Sequence, residues 1–266
     1  MVPRLSRRHF LAAATVGVAG SLYSAGSNDL EVAHRTHPAA PAHPPLRVAL
    51  LTDMHAPHDW VEGKHLIEAV RRFEPHLIAI VGDAVDERGE EHRVAFYDAF
   101  DAPLGKFATL GNWEYQGLCN LVRLHQEYDR VGVRLLINES VRLTHQGAPL
   151  LLVGMDDLRA GMPNYGLLDA QPPEGRTLVL AHCPKTFDSI ASVARHPVTV
   201  LSGHTHGGQI APFGIAIITP DGSGPYVQGW YPSAAGGHML YVSRGLGNSG
   251  IPFRIGARPE LPLLTI

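Results

Sequence analysis

Five short apolar runs, each closing on a polar cluster that holds a glycine or a histidine, constrain this chain more than any other feature. They are LRVALL before Thr52-Asp53, HLIAIV before Gly82-Asp83, KFATL before Gly111-Asn112, TLVLAH ending on His182, and VTVLSGH ending on His204. Short continuous apolar runs bounded by turn residues read as strands buried on both faces. After the first comes HLIEAVRRF, in which Leu66, Ile67, Val70 and Phe73 fall on one helical stripe. Further helices are expected around His92 to Phe100, from about Leu118 to Arg130, and near Thr186 to Ala194. VRLLIN, VRLTH and PLLLVG, with turn residues between them, read as a β-meander on a second sheet, and MLYVSRG adds a further strand. The fold class is therefore α/β, two sheets flanked by helices, with ligands bound at the carboxyl ends of strands.

At 266 residues with 45% hydrophobic and 18% charged side chains, the chain has the material for one globular core rather than a disordered or fibrous assembly. The net charge is −3, and the first 26 residues hold three arginines and no acid, so the remainder carries −6. That balance argues against a binder of duplex nucleic acid. Sixteen histidines are many, yet His34, His37 and His43 lie in a Pro/Ala-rich tract and His76 precedes an apolar run, so position decides their meaning. Two cysteines, Cys119 and Cys183, are too few for a disulfide framework and read as packing residues.

Arg7-Arg8 stands directly before an uncharged run from Phe10 to Gly26, the pattern of a twin-arginine export signal. The run is weakly apolar and short for a spanning helix, so residues 1–26 read as a removable signal, with a membrane tether as the outcome if it is not cleaved. Residues 27–45 contain Pro38, Pro41, Pro44 and Pro45 and read as a linker. The folded domain is then 46–266, in an exported, periplasmic or otherwise extracytoplasmic protein that uses the twin-arginine translocon.

The residues at the strand ends are Asp53 and His55, Asp83, Asn112, His182, and His204 and His206, all of them metal-ligand types. Side chains two apart on an extended strand point the same way, so Asp53 with His55, and His204 with His206, are each expected to aim two ligands into one space. A single D-x-H is weak; five fragments in order at five strand ends are strong. The ordered set DMH, GDAVD, GNWEY, LAHCP and GHTHGG resembles the calcineurin-like metallophosphoesterase superfamily, and GHTHGGQI with YVSRGLGNSGIPFR and the late RPE resembles its bacterial YkuE-like branch. The resemblance implies a four-layer α/β/β/α sandwich. It implies one metal held by Asp53, His55, Asp83 and His206 and a second by Asp83, Asn112, His182 and His204, with Asp83 bridging and a metal-bridging hydroxide attacking phosphorus. A donor set of carboxylate, amide and imidazole without thiolate favours two divalent ions, manganese first and iron or zinc next.

In GNWEY the resembled family places a histidine where this chain has Trp113. That histidine contacts the phosphate and protonates the leaving oxygen, steadied by the aspartate that here is Asp86. An indole has no proton to transfer near neutral pH. The reaction is thus expected to be impaired or restricted rather than abolished, with three substitutes open: a histidine such as His58 moving in as the acid, a leaving group good enough to need none, or metal-bound water as the proton donor. Asn112, Trp113, Arg244 and Arg254 are the expected substrate contacts, with structural ion pairing the equal alternative for the two arginines, and Glu114 is expected to orient its loop. The reading is an exported two-metal phosphodiesterase or pyrophosphatase, its phosphate-ester substrate compatible with a lipid- or envelope-linked one. The alternative is a non-catalytic, metal-stabilised binding protein of the envelope.

Overall fold

The computed structural model describes residues 29–39, 43–55, 63–86, 88–170, 175–234 and 236–266. The expected export signal over 1–26 and His58 lie outside the described residues.

The apolar runs form strands as expected: β2 (Arg47–Leu51), β3 (Leu77–Val81) and β4 (Lys106–Thr109) pair in parallel, as do β7 (Ala148–Gly154), β8 (Arg176–Leu180), β9 (Val198–Ser202) and β11 (Met239–Val242). Two six-stranded mixed sheets result. The first runs β1-β12-β2-β3-β4-β5 and the second β10-β11-β9-β8-β7-β6, where β1 is Glu31–Thr36, β5 Val133–Leu135, β6 Glu139–His145, β10 Gly229–Pro232 and β12 Glu260–Thr265.

Alternation along each strand divides the apolar side chains into three cores. Val48, Leu50, Leu77, Ala79 and Phe107 meet Leu150, Leu152, Leu178 and Leu201 between the sheets. The other face of the first sheet, with Ala49, Leu51, Ile78 and Ile80, packs on Leu66 and Val70 of α1 (Gly63–Phe73) and on Leu124 and Tyr128 of α3 (Leu121–Arg130). The outer face of the second sheet, with Val153, Val179 and Val200, packs on Phe187 and Ile190 of α4 (Thr186–Val193). Helix, sheet, sheet, helix is the four-layer order.

Four details differ from the sequence reading. Glu31–Thr36, expected as linker, is strand β1, paired in parallel with β12. VRLLIN does not join a meander on the second sheet: β5 pairs in parallel with β4 in the first, and of the three runs VRLTH and PLLLVG alone pair with each other, antiparallel, as β6 and β7. The helix expected over His92–Phe100 is a 3₁₀ helix, Glu91–Ala99, whose last carbonyls receive the buried Lys106 ammonium at Tyr97 and Phe100. The helix expected from about Leu118 to Arg130 is α3, which starts at Leu121 and is capped by the Asn120 side chain accepting from the Val122 and Arg123 N–H groups, and a short unexpected helix, α2 (Asn112–Gln116), precedes it.

Candidate metal centre

Each ligand candidate sits just past a strand end. β2 stops at Leu51, before Asp53 and His55; β3 at Val81, before Asp83; β4 at Thr109, before Asn112; β8 at Leu180, before His182; β9 at Ser202, before His204 and His206. The ligands do not converge from extended strands as expected. Asp53, His55, Asp83, His204 and His206 all have left-handed backbone, with φ between 46° and 74°, and so are not extended. Five such residues store roughly 1–2 kcal/mol of strain each, which the surrounding packing must hold. Tight hydrogen bonds do so: Asp53 N–H to Gly82 O at 3.1 Å, His55 N–H to Asp83 O at 3.0 Å, and His204 N–H to Asp53 Oδ1 at 2.9 Å. Two glycines make room, since a Cβ on Gly111 would strike Asp83 Oδ1 and one on Gly203 would strike Asp53 Oδ2.

The side chains gather into two buried groups, Asp53 with His55 and His206, and Asp83 with His182 and His204. Asp83 Oδ2 lies 3.2 Å from His182 Nε2 and 3.8 Å from His55 Nε2, so its carboxylate stands between the groups. His55 Nε2 and His206 Nε2 are 3.0 Å apart, and His204 Nδ1 and His182 Nε2 are 3.3 Å apart. Asn112, 3% exposed, turns into the interior a side-chain oxygen that has no hydrogen-bond partner among the described residues. A buried unpaired amide oxygen beside converging imidazoles and carboxylates fits cations, which would accept lone pairs from all of them. All seven expected ligands are thus buried at the strand ends, six of them in the two groups.

Burial and proximity shift these groups strongly. Burial would raise the Asp83 carboxyl, yet the neighbouring His182 charge and hydrogen bond hold it below the usual carboxylate range. His182 is raised correspondingly, burial opposing and Asp83 prevailing. Burial, reinforced by the Asp83 charge, lifts Asp53 to about 6. Burial depresses His55 to about 4 and, with His182 adding, His204 to about 4.

Glu114 proves central to the scaffold. Its buried carboxylate accepts from the N–H groups of Gly111 (2.7 Å), Asp83 (3.0 Å), Ala84 (2.7 Å) and Val85 (3.3 Å), tying the loop after β3 to the loop after β4. Three supports carried no recognisable sequence signal. Thr52 Oγ1 donates to Asp53 Oδ2 at 2.9 Å, the Asp221 carbonyl lies 2.8 Å from His204 Nε2, and Cys183 Sγ donates to Asp157 Oδ2 at 3.2 Å. Burial holds both thiols in the unreactive range, Cys119 pushed up to about 12, so the cysteines serve packing.

Trp113 borders the site. Its backbone N–H donates to Asp83 Oδ1 at 2.9 Å, and its ring meets the His55 ring edge-on at a centroid distance of 6.1 Å. Asp86, expected to lack a partner, is gripped by Arg88, which donates through its backbone N–H (2.9 Å), Nε (3.0 Å) and Nη2 (2.6 Å). The two arginines expected to face substrate are placed otherwise. Arg254 is 1% exposed and donates to the carbonyls of His206, Arg244, Gly245, Gly247 and Ala257; a burial this deep reflects a scaffold role. Arg244 pairs with Glu31 at 2.8 Å and Glu260 at 3.5 Å, which fastens β1 and β12 to the loop after β11.

The profile of the calcineurin-like phosphoesterase family matches residues 46–208. The metallophosphoesterase YkuE of Bacillus subtilis is 31% identical over 76% of this chain and 72% of its own length. A transmembrane protein with metallophosphoesterase domain from Bos taurus is 30% identical over 86% of this chain, which spans 55% of that protein. Among solved structures, NAD nucleotidase of Haemophilus influenzae shares the fold at a TM-score of 0.53 and 13% identity, covering 76% of this chain and 46% of that one. With its two buried His/Asp groups and a family match over more than half its length, the chain belongs to the calcineurin-like metallophosphoesterases.

Proposed function

We propose that this metallophosphoesterase is an exported two-metal hydrolase of phosphodiesters or pyrophosphates. The observation that carries the reading is the meeting of two buried His/Asp groups at Asp83, beside the unpaired Asn112 oxygen. Asp53, His55, Asp83 and His206 would hold one ion, and Asp83, Asn112, His182 and His204 the other. Two divalent ions, manganese first by the character of the donors and iron or zinc next, supply polarisation of the phosphoryl group and activation of water when bound.

The chain's own residues set the limits. Trp113 can donate a hydrogen bond to a phosphate oxygen but not transfer a proton to a leaving group. Arg88, fixed on Asp86, is always charged and cannot protonate one either. Substrates with good leaving groups are therefore favoured. Export rests on Arg7-Arg8 before the uncharged run Phe10–Gly26. Replacing both arginines by lysine is expected to keep the protein in the cytoplasm, and unchanged export would remove that part of the reading.

The test of the catalytic reading is hydrolysis by manganese-loaded protein of a bis-aryl phosphodiester, a dialkyl pyrophosphate and an aryl monoester. Turnover of the first two above the third supports it. Metal uptake without turnover of any substrate would instead support the binding-protein alternative.

A further inference from the structure

Six of the large apolar side chains that protrude into solvent occupy two loops that are joined to each other and rooted in the metal centre. In the first loop Phe213 is 99% exposed, Ile215 72%, Ile217 68% and Ile218 76%; in the second, Ile251 and Phe253 are also exposed. Among the described residues the other exposed large apolar ones are scattered: Val32 in β1, Val122 in α3, Val193 in α4, and Leu118 and Met162 in separate loops. Scattered ones are ordinary; a cluster of six is not.

The loops form one unit. Gln209 donates through Nε2 to the carbonyls of Ser249 (3.1 Å) and Ile251 (2.9 Å) and accepts from the Ser249 N–H at 3.0 Å. Ala211 N–H bonds Ile255 O at 2.7 Å, and Ile255 N–H bonds Gln209 O at 2.9 Å. Each loop leads directly from the site: Gln209 follows His206 by three residues, and Gly247 N–H is bonded to Asp53 O at 2.7 Å. Arg254 closes the base through His206 O.

We propose that this apolar tip docks on a lipid bilayer and so turns the metal centre toward the membrane surface. Three observations favour a bilayer over a protein partner. No charged side chain occurs from Ile210 to Pro220 or from Gly245 to Phe253. Several backbone groups are paired inside the loops, Gly214 N–H to Ala211 O, Ile215 N–H to Pro212 O, Ile217 N–H to Ile210 O and Ile251 N–H to Ser249 O, and Pro212 and Pro252 have no N–H to offer. Hydrocarbon demands that internal pairing, whereas a protein interface carries hydrogen bonds across it at regular intervals. Finally, Phe213 holds a left-handed backbone, φ 58°, that sends its ring into solvent. Strain at a bulky residue that leaves its ring fully exposed points to a contact outside the fold.

The proposal goes beyond the hydrolytic reading and does not depend on it. It is tested with the full chain carrying Phe213→Trp, mixed with vesicles of phosphatidylethanolamine and phosphatidylglycerol with or without brominated acyl chains. The added indole's fluorescence is expected to be quenched by the brominated vesicles. Adding Ile217→Ser and Ile218→Ser is expected to lower the quenched fraction about tenfold or more. Scoring quenching at position 213 rather than sedimentation separates this contact from any tether supplied by the N-terminal segment. No quenching, whether the protein stays in solution or is held on vesicles by its N-terminus, would overturn the proposal. So would a dimer that the serine variants convert to monomer without any quenching. Hydrolysis of a soluble aryl phosphodiester, measured in parallel, reports on the catalytic reading alone: Phe213→Trp should leave it unchanged, and its absence in the parent protein would not touch the docking result.

Discussion

In the half of the metal centre built by Asp83, His182 and His204, the outer partners of the imidazoles are neutral acceptors: His182 Nδ1 meets Val81 O at 2.9 Å, and His204 Nε2 meets Asp221 O at 2.8 Å. In the half built by Asp53, His55 and His206, the outer partner is a cation, Arg254 Nη2 lying 3.0 Å from His206 Nδ1. A carbonyl only accepts, so it fixes the proton on the outer nitrogen and leaves the inner one free for a metal. An arginine only donates, so His206 Nδ1 accepts and its proton resides on Nε2, the atom that faces Asp53 and His55. A cation binding at that nitrogen must displace the proton and loosen the Arg254 contact. The two halves look alike in composition and differ in readiness: the Asp83 half is arranged for an ion, and the Asp53 half must adjust to take one.

The largest effect should come where the halves share a ligand. Asp83→Ala removes the carboxylate between them and is expected to lower kcat/KM by about 10³-fold or more, with both ions lost. Metal analysis alongside the rate checks this, and retention of both ions would refute the assignment.

Trp113→His probes the edge of the Asp53 half. If a general acid is missing there, the variant should accelerate substrates with poor leaving groups by up to about 10² to 10⁴-fold and good ones hardly at all. The Asp86–Arg88 pair sharpens the expectation, because Asp86 can orient a new imidazole only when released: Trp113→His with Arg88→Ala should exceed Trp113→His alone. Equal slowing of every substrate would make Trp113 a packing residue.

Glu114→Gln tests the support under the Asp83 half. The amide keeps the shape, but its NH2 cannot accept, so two of the four backbone N–H groups lose their acceptor and a loss of about 2–3 kcal/mol in unfolding free energy is expected. A melting temperature unchanged from wild type would contradict it. The smallest effect concerns the halves directly. Graded chelation should empty the Asp53 half first, at a chelator concentration about 10- to 100-fold below that which empties the other. His55→Ala should then leave one ion in place, whereas simultaneous loss in the wild type would erase the distinction.

Much of this was legible in the sequence because ligand types fall at strand ends and the strands are unbroken apolar runs. LRVALL, HLIAIV and VTVLS could scarcely be anything else. The rest was hidden for physical reasons. In EVAHRT only Ala33 is buried, so β1 has no alternation to display beside its Pro/His-rich surroundings. ELPLLT carries a proline and gave no strand signal, although all but its last residue is buried as β12. VRLLIN has strand character, but periodicity does not say which sheet a strand joins. Arg254 reads as a substrate contact because nothing local reveals the carbonyls that converge on it, such as those of His206 and Arg244. The left-handed backbone at five ligands is likewise a tertiary property, imposed by packing on residues that would not adopt it alone.

The central claim is that two cations meet at Asp83 and act together. Titrating manganese into metal-free protein, while measuring ions bound per chain and hydrolysis of a bis-aryl phosphodiester in the same samples, tests it most directly. The account predicts two ions bound in separable steps, with hydrolysis appearing as the second step fills. Full hydrolysis with a single ion bound, or no uptake at all, would contradict it.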